Sequence, residues 1–189
     1  MTAHAELAHY RKTPPTTPTT SSAPSTATAR IDRPRPGDGR QLWRLARDSG
    51  TLDLNSAYSY LLWCRDFAGT SAVARDASGR AVGFVSGYLR PESPATLLVW
   101  QIAVDESVRG LGVAGALLDS LSARVAAEHG LSSLEATVAP GNLASERLFA
   151  SYAERHGATL TREVLFAPEE FPDHGSAPEV LHRIGPLTF

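Results

Sequence analysis

Very little in this sequence can build a disulfide framework, a metal–thiolate cluster or a membrane span. There is one cysteine, Cys64, so no intramolecular disulfide can form and a Cys-rich zinc site is excluded. No apolar run approaches membrane-spanning length, and the opening stretch MTAHAELAHYRKTPPTTPTT carries no apolar leader segment. Charge of one sign is missing too. The 18 Lys and Arg against 20 Asp and Glu leave a formal net charge of -2, and there is no Lys/Arg block. Nucleic acid and membrane surfaces are therefore not expected partners. His156 and His174 show no metal-ligand spacing, and no metal is expected. A lone cysteine fits the reducing cytoplasm, where the protein is expected to work.

What is present is 42% hydrophobic residues in a chain of 189, enough for one core. Residues 1–28 are read as a disordered tail, because TPPTTPTTSSAPSTAT cannot bury enough apolar surface to offset its ordering entropy. Residues 29–189 are read as one α/β domain. ARIDRP reads as a short strand. Asp38 and Gln41 have capping-box spacing ahead of a helix through Leu42, Leu45 and Ala46 that ends near Gly50. Asn55 or Ser56 caps a second helix. TSAVARD and RAVGFVSGYLR are strands around an Asp76–Gly79 turn, Pro91 and Pro94 interrupt, and TLLVWQIAV is a long strand. Leu117, Leu118, Leu121 and Val125 stripe a third helix that Gly130 ends. SLEATV is a strand, Asn142 opens a fourth helix, and LTREVLF and VLHRI are late strands.

Gly110, Gly112 and Gly115 form a literal G-x-G-x-x-G. A dinucleotide fingerprint is one reading, with Glu135 twenty residues beyond Gly115 as the ribose acid. Three features oppose it. Asp105 to Arg109 separate the strand from the glycines, about eighty folded residues precede the motif, and Glu135 falls inside SLEATV. Plain close packing at a helix start is another reading. Arg109 adds a fixed positive charge beside the orphan N–H groups of a helix N-terminus, which makes a pyrophosphate site without a dinucleotide-binding sheet.

The run Val104, Arg109, Gly110, Gly112, Ala114 gives V-x-x-x-x-R-G-x-G-x-A. It resembles the acetyl-CoA loop of the GNAT acetyltransferases. Asn142, Ser145, Leu148 and Phe149 resemble that superfamily's N-x-x-S/A-x-x-L-Y/F helix beside the pantetheine arm. The resemblance implies a mixed central sheet with splayed strands flanked by helices, and acetyl-CoA as co-substrate. It implies that Trp100 to Val104 splay from their neighbour, with the backbone at Ile102 and Val104 pairing with pantetheine. LDLNSAYSYLLWC, VGFVSGY, VWQIAVD, LEATV and PEVLHRI resemble the L-2,4-diaminobutyrate acetyltransferases of ectoine synthesis, from about Ile31 to Ile184. Ectoine is a compatible solute made against osmotic stress. The implied reaction acetylates the gamma amine of diaminobutyrate by direct transfer in a ternary complex.

A small zwitterion with an extra ammonium needs acids for its amines. Taken alone, Asp53 is as much a loop or cap acid as a ligand, Tyr58 and Trp100 are core aromatics by default, and Glu179 is a solvated strand-end acid by default. The resemblance implies a substrate pocket of Asp53, Tyr58, Trp100 and Glu179. Carboxylates hold an ammonium but also raise its pKa, so the two acids must divide the work. Glu179 is the favoured proton acceptor, and Asp53 grips the remote ammonium. Phe149 stands where many relatives have a Tyr that protonates the thiolate. Tyr152, one turn on, is a substitute, or the thiolate leaves unassisted. Cys64 reads as buried packing and His182 as structural. Glu135 reads as a sheet residue, with catalysis a lesser option. Arg162 and Arg183 are possible donors for the substrate carboxylate. A homodimer with the pocket near its interface is expected. A GNAT enzyme acting on another small amine is the lesser alternative, and a non-catalytic acetyl-CoA-binding sensor the least favoured.

Overall fold

A computed structural model describes residues 29–172 and 176–189. The expected tail over residues 1–28 and His174 lie outside the described residues. Four helices form where the apolar spacing requires them. The first, α1 (Gly39–Ser49), buries Leu42, Leu45 and Ala46 and stops at Gly50, whose φ of 68° is left-handed. The second, α2 (Ala57–Asp66), starts where the Ser56 side chain accepts from the Ser59 N–H. Leu117, Leu118, Leu121 and Val125 are the buried stripe of α3 (Val113–His129). Asn142 caps α4 (Leu143–Arg155) by accepting from the Ser145 N–H, and α4 buries Phe149 and Tyr152.

The capping box expected at Asp38 and Gln41 does not form. Asp38 precedes α1 but makes no side-chain cap bond. Its carboxylate takes two hydrogen bonds from Arg75, at 2.9 and 2.7 Å, and one from the Arg35 N–H at 2.7 Å. Gln41 instead accepts from the Ala81 N–H at 2.9 Å. Charge-assisted, bidentate bonds to a guanidinium outcompete a cap.

The strands are β1 (Arg30–Asp32), β2 (Ala72–Arg75), β3 (Ala81–Arg90), β4 (Ser93–Val104), β5 (Ser133–Val138), β6 (Thr159–Phe166) and β7 (Glu179–Gly185). They form one mixed sheet in the order β1-β2-β3-β4-β5-β7-β6. Among the described residues only β4 and β5 run parallel. Pro94 does not break β4 as expected. It falls at an irregularity, where Ser93 pairs Arg90 and Leu97 pairs Leu89, and a strand tolerates a missing N–H there.

Helices cover the sheet on both faces. Leu42, Leu45, Tyr60 and Cys64 from α1 and α2 pack on Val73, Phe84 and Ala103. The α3 and α4 residues pack on Ala72, Ala74, Val85, Leu97, Val99 and Leu134. Cys64 is fully buried, as its neighbours suggested, and burial pushes its thiol up to about 12.

The Asp38–Arg75 pair ties α1 to β2 and is nearly buried. Burial works to raise the Asp38 carboxyl, but the Arg75 and Arg35 bonds outweigh it and hold the group below its ordinary value. A depressed folded-state pKa stabilises above the ordinary carboxylate range and is lost as pH falls through the folded value. Arg75→Met strands a buried charge and is expected to cost about 3–5 kcal/mol at pH 7 in urea unfolding. The deficit should shrink on acidification as the orphaned carboxyl protonates. A deficit independent of pH would contradict this.

Candidate functional site

The parallel ladder between β4 and β5 is short. Thr96, Leu97, Leu98 and Val99 pair with Ser133, Leu134, Glu135 and Ala136, and the pairing ends there. β4 continues to Val104 and β5 to Val138. Residues 100–104 therefore have no partner on the β5 side, which is the splay the motif implied. A bulge sits at the same place. Against β3, Val99 pairs Gly87 and Gln101 pairs Ser86, leaving Trp100 as the extra residue. The bulge reverses which side chains face α3. Leu97 and Val99 do so before it, and Ile102 and Val104 after it.

Beyond β4, Arg109 leads into the glycine loop. Gly110 and Gly112 both have φ of 78°, a left-handed conformation that costs any residue with a Cβ about 1–2 kcal/mol. Gly112 is the N-cap of α3. The first return bond of the helix runs from the Ala116 N–H to the Gly112 carbonyl, so the amides just before it are free for an anion. A groove of about 790 Å³ runs along this loop, lined by Ile102, Val104, Arg109, Gly110, Gly112 and Ala114, with Asn142, Ser145 and Leu148 from α4 across it. These are the residues the acetyl-CoA motif names, except Phe149, which lines the adjoining cavity instead, and they fit its chemistry. The turn offers N–H groups and a guanidinium for phosphates, and the splayed strand offers unpaired amides for the arm.

A second cavity, about 300 Å³, meets this groove at Ile102, Asn142 and Ser145. Asp53, Trp100, Glu179 and Phe149 line it, with Thr51, Asn55, Gln101 and Thr137 among the polar neighbours. Its lining residues include two carboxylates and no Lys or Arg. Trp100 is half exposed and stacks on Trp63 of α2, ring centroids 6.2 Å apart. It is not the core aromatic expected by default, because the bulge turns it out of the layer.

The structure does not bring Tyr58 into this cavity. With Ser56 as the cap, Tyr60 points into the core. Tyr58, two residues earlier and some 200° round the helix, is 66% exposed. Tyr152 is also misplaced for protonating a thiolate. It is fully buried, packs on His156 at 4.3 Å, and lines neither cavity. Burial pushes its hydroxyl up to about 12. Arg183 and Arg162 are engaged elsewhere. Arg183 donates to Glu135 at 2.8 Å, and Arg162 donates to His182 Nε2 at 2.9 Å. Glu135 is buried with its second oxygen on Arg90 at 3.0 Å, so both oxygens are engaged in sheet ion pairs, and it lines neither cavity. His182 is buried, and burial pushes its pKa down. Among the described residues no group of His, Cys, Asp and Glu could hold a metal ion.

Nothing in the sequence singles out Gln101. It bonds the loop carrying Asp53, and strand alternation alone cannot place it, since the bulge sets its direction. Gly112→Ala should destabilise the protein by about 1 kcal/mol and weaken CoA binding in calorimetry. Unchanged affinity would remove the glycine loop from the site.

Comparison with known proteins agrees with this geometry. Residues 39–153 match the model of the Acetyltransferase (GNAT) family. The L-2,4-diaminobutyric acid acetyltransferase of Streptomyces avermitilis is 65% identical over 159 residues, 84% of this chain and 89% of that protein. The enzyme of the same name from Marinococcus halophilus is 42% identical, over 84% of this chain and 90% of that protein. A solved structure of diaminobutyrate acetyltransferase EctA from Paenibacillus lautus, in complex with its substrate L-2,4-diaminobutyric acid and coenzyme A, superposes with a TM-score of 0.79 at 42% identity. It covers 86% of this chain and 98% of its own. Ard1 from Thermoplasma volcanium, at 23% identity and a TM-score of 0.66, shares the fold. The chain belongs to the GNAT acetyltransferases and, within them, to the L-2,4-diaminobutyric acid acetyltransferases.

Proposed function

We propose that this protein moves acetyl from acetyl-CoA to the gamma amine of L-2,4-diaminobutyrate, a step of ectoine synthesis, by direct transfer between two bound substrates. One observation carries the reading. A cavity with two carboxylates and no cationic side chain opens onto the groove of the glycine loop. Such a cavity selects a small cation and sets its amine beside the thioester.

Acetyl-CoA supplies an activated acetyl group. The protein must supply a neutral amine. Deprotonating a Lys-like ammonium at pH 7 costs about 4–5 kcal/mol, and a carboxylate that merely pairs with it adds to that cost. We therefore assign the two acids separate tasks. Glu179 stands at the start of β7, next to Val180, which pairs Val138 at the free end of β5. It takes a proton from the gamma ammonium, directly or through water, to free the lone pair. The neutral amine then forms the N–C bond, the nitrogen gives its second proton to solvent through water, and the C–S bond breaks to release the thiolate. Asp53, on the opposite loop, grips the alpha ammonium. The amides of Ile102 and Val104, which face away from β3, polarise the carbonyl. Phe149 has no proton to give and Tyr152 is out of reach, so the thiolate leaves unassisted. Its reference pKa near 8.5 permits this. The substrate carboxylate takes its hydrogen bonds from neutral donors of the cavity such as Thr51 and Asn55, since Arg162 and Arg183 are engaged.

We place the reaction in the cytoplasm, where a single free thiol is at home, in the service of osmotic protection, and we propose a homodimer. Edge strand β6 exposes Val164 and Phe166, and Phe166 pairs Glu179. Leu54, beside Asp53, and Tyr58 and Leu61 of α2 are exposed as well. Apolar surface thus flanks both carboxylates, as an interface near the pocket would require.

Incubation with acetyl-CoA and a panel of diaminobutyrate, ornithine, lysine and a polyamine should show strong preference for diaminobutyrate, with N-gamma-acetyl product by NMR. Turnover of another amine instead would sink the substrate assignment. Glu179→Gln should lower kcat by about 100-fold or more, while Asp53→Asn should chiefly raise the KM for diaminobutyrate. The opposite pattern would exchange their roles. Sedimentation should give twice the 20.2 kDa of one chain, and Phe166→Asp should lower it. A monomeric wild type would contradict the dimer.

A further inference from the structure

The two acids of the proposed site are held in different ways. Glu179 belongs to β7 and is fixed by the ladder to β6. Asp53 lies between α1 and α2 in a segment, residues 53–56, without helix or strand. The tie that reaches it from the sheet is a side chain. Gln101 Nε2 donates to the Asp53 backbone carbonyl at 2.8 Å. Gln101 Oε1 accepts from the Tyr60 hydroxyl at 3.0 Å.

The direction of this relay is fixed by chemistry. A backbone carbonyl only accepts, so the amide nitrogen must face Asp53. The amide oxygen then faces Tyr60, and the phenol must donate. Gln101 is 7% exposed and Tyr60 1%, so each bond is made away from competing water. The Tyr60 hydroxyl also meets Asn55 of the same loop, so it steadies the Asp53 segment both through Gln101 and directly. Burial raises the Tyr60 pKa above its ordinary value, which keeps the donor protonated.

The bulge makes the relay possible. Trp100, the unpaired residue of β4, stacks on Trp63 of α2, and Gln101 reaches Tyr60 of the same helix. Consecutive residues of a regular strand point to opposite faces. Here both serve the α2 side, one as wall of the cavity and one as anchor of its loop.

We propose that Gln101, oriented by Tyr60, is a positioning residue that sets Asp53 against the substrate and thereby sets the affinity for diaminobutyrate. The inference rests on the reading that Asp53 grips the substrate ammonium. Gln101 lines the cavity, but its amide is spent on Asp53 and Tyr60, so its effect passes through Asp53.

Steady-state kinetics of Gln101→Glu, Tyr60→Phe, Asp53→Asn and the double variants test this. Gln101→Glu keeps the side-chain shape and the acceptor for Tyr60 but turns an oxygen toward the Asp53 carbonyl. It should raise the KM for diaminobutyrate about tenfold. Tyr60→Phe removes only the hydroxyl and should raise it about threefold. Neither should move the KM for acetyl-CoA. Combined with Asp53→Asn, neither should add to the effect of Asp53→Asn alone. If Gln101→Glu fails to fold, Tyr60→Phe and its double variant carry the same test. Effects that multiply, a KM for acetyl-CoA that rises in step, or an unchanged KM for diaminobutyrate would overturn the inference. If Asp53→Asn is impaired while the Gln101 and Tyr60 variants are normal, the inference alone falls. If Asp53→Asn itself keeps the normal KM, the assignment of Asp53 falls and the inference with it.

Discussion

The hydrogen bonds between β4 and β5 stop at Val99 and Ala136, and the site follows from that stop. Buried backbone groups require partners. A strand that leaves its neighbour in mid-sheet either opens to water or receives another chain of amides. Here the strand carries on for five residues, turns at Asp105, and delivers the glycine loop to the start of α3. The gap between the strands holds Ile102 on one side and Asn142, Ser145 and Phe149 of α4 on the other. One opening thus joins the anion-binding turn to the acidic cavity, and transfer between the two ligands needs no movement of a carrier residue.

The rest of the fold holds that gap open. Leu117, Leu118 and Leu121 of α3 and Phe149 and Tyr152 of α4 form one packed layer with Leu97, Val99 and Leu134. The helices are fixed to the sheet below the opening, where the ladder is intact. On the other face, α1 and α2 close over Val73, Phe84 and Ala103, and the Arg75–Asp38 pair pins the start of α1. The loop with Asp53 leaves this second layer and reaches the site from the side opposite Glu179. Acids mounted on separate layers can be placed independently, which suits the division of work proposed for them.

Much of this was legible in the sequence. The leucine stripe of α3, the Ser56 and Asn142 caps, the left-handed glycines and the late strands follow from local periodicity and backbone sterics, and each is where those rules put it. The glycine loop with Arg109 pointed to an anion site, and the structure places that loop along a groove. The failures share a cause, which is competition from partners distant in sequence. Asp38 abandons a cap for Arg75, thirty-seven residues away. Arg183, a possible carboxylate donor, is taken by Glu135 on the neighbouring strand. Tyr58 keeps its place on α2, but its direction is set by which face Tyr60 buries. Trp100 and Gln101 depend on a bulge that no alternation pattern announces.

The central claim is that β4 beyond Val99, still paired to β3, is left without a partner on the β5 side so that acetyl-CoA can complete the sheet there. Amide hydrogen exchange with and without CoA tests it most directly. The account predicts new protection on binding at Ile102 and Val104, whose amides face away from β3, and in residues 110–115, with Ala103, bonded to β3, and residues 96–99, already paired to β5, unchanged. Binding that protects the glycine loop but leaves Ile102 and Val104 exchanging as before would contradict it.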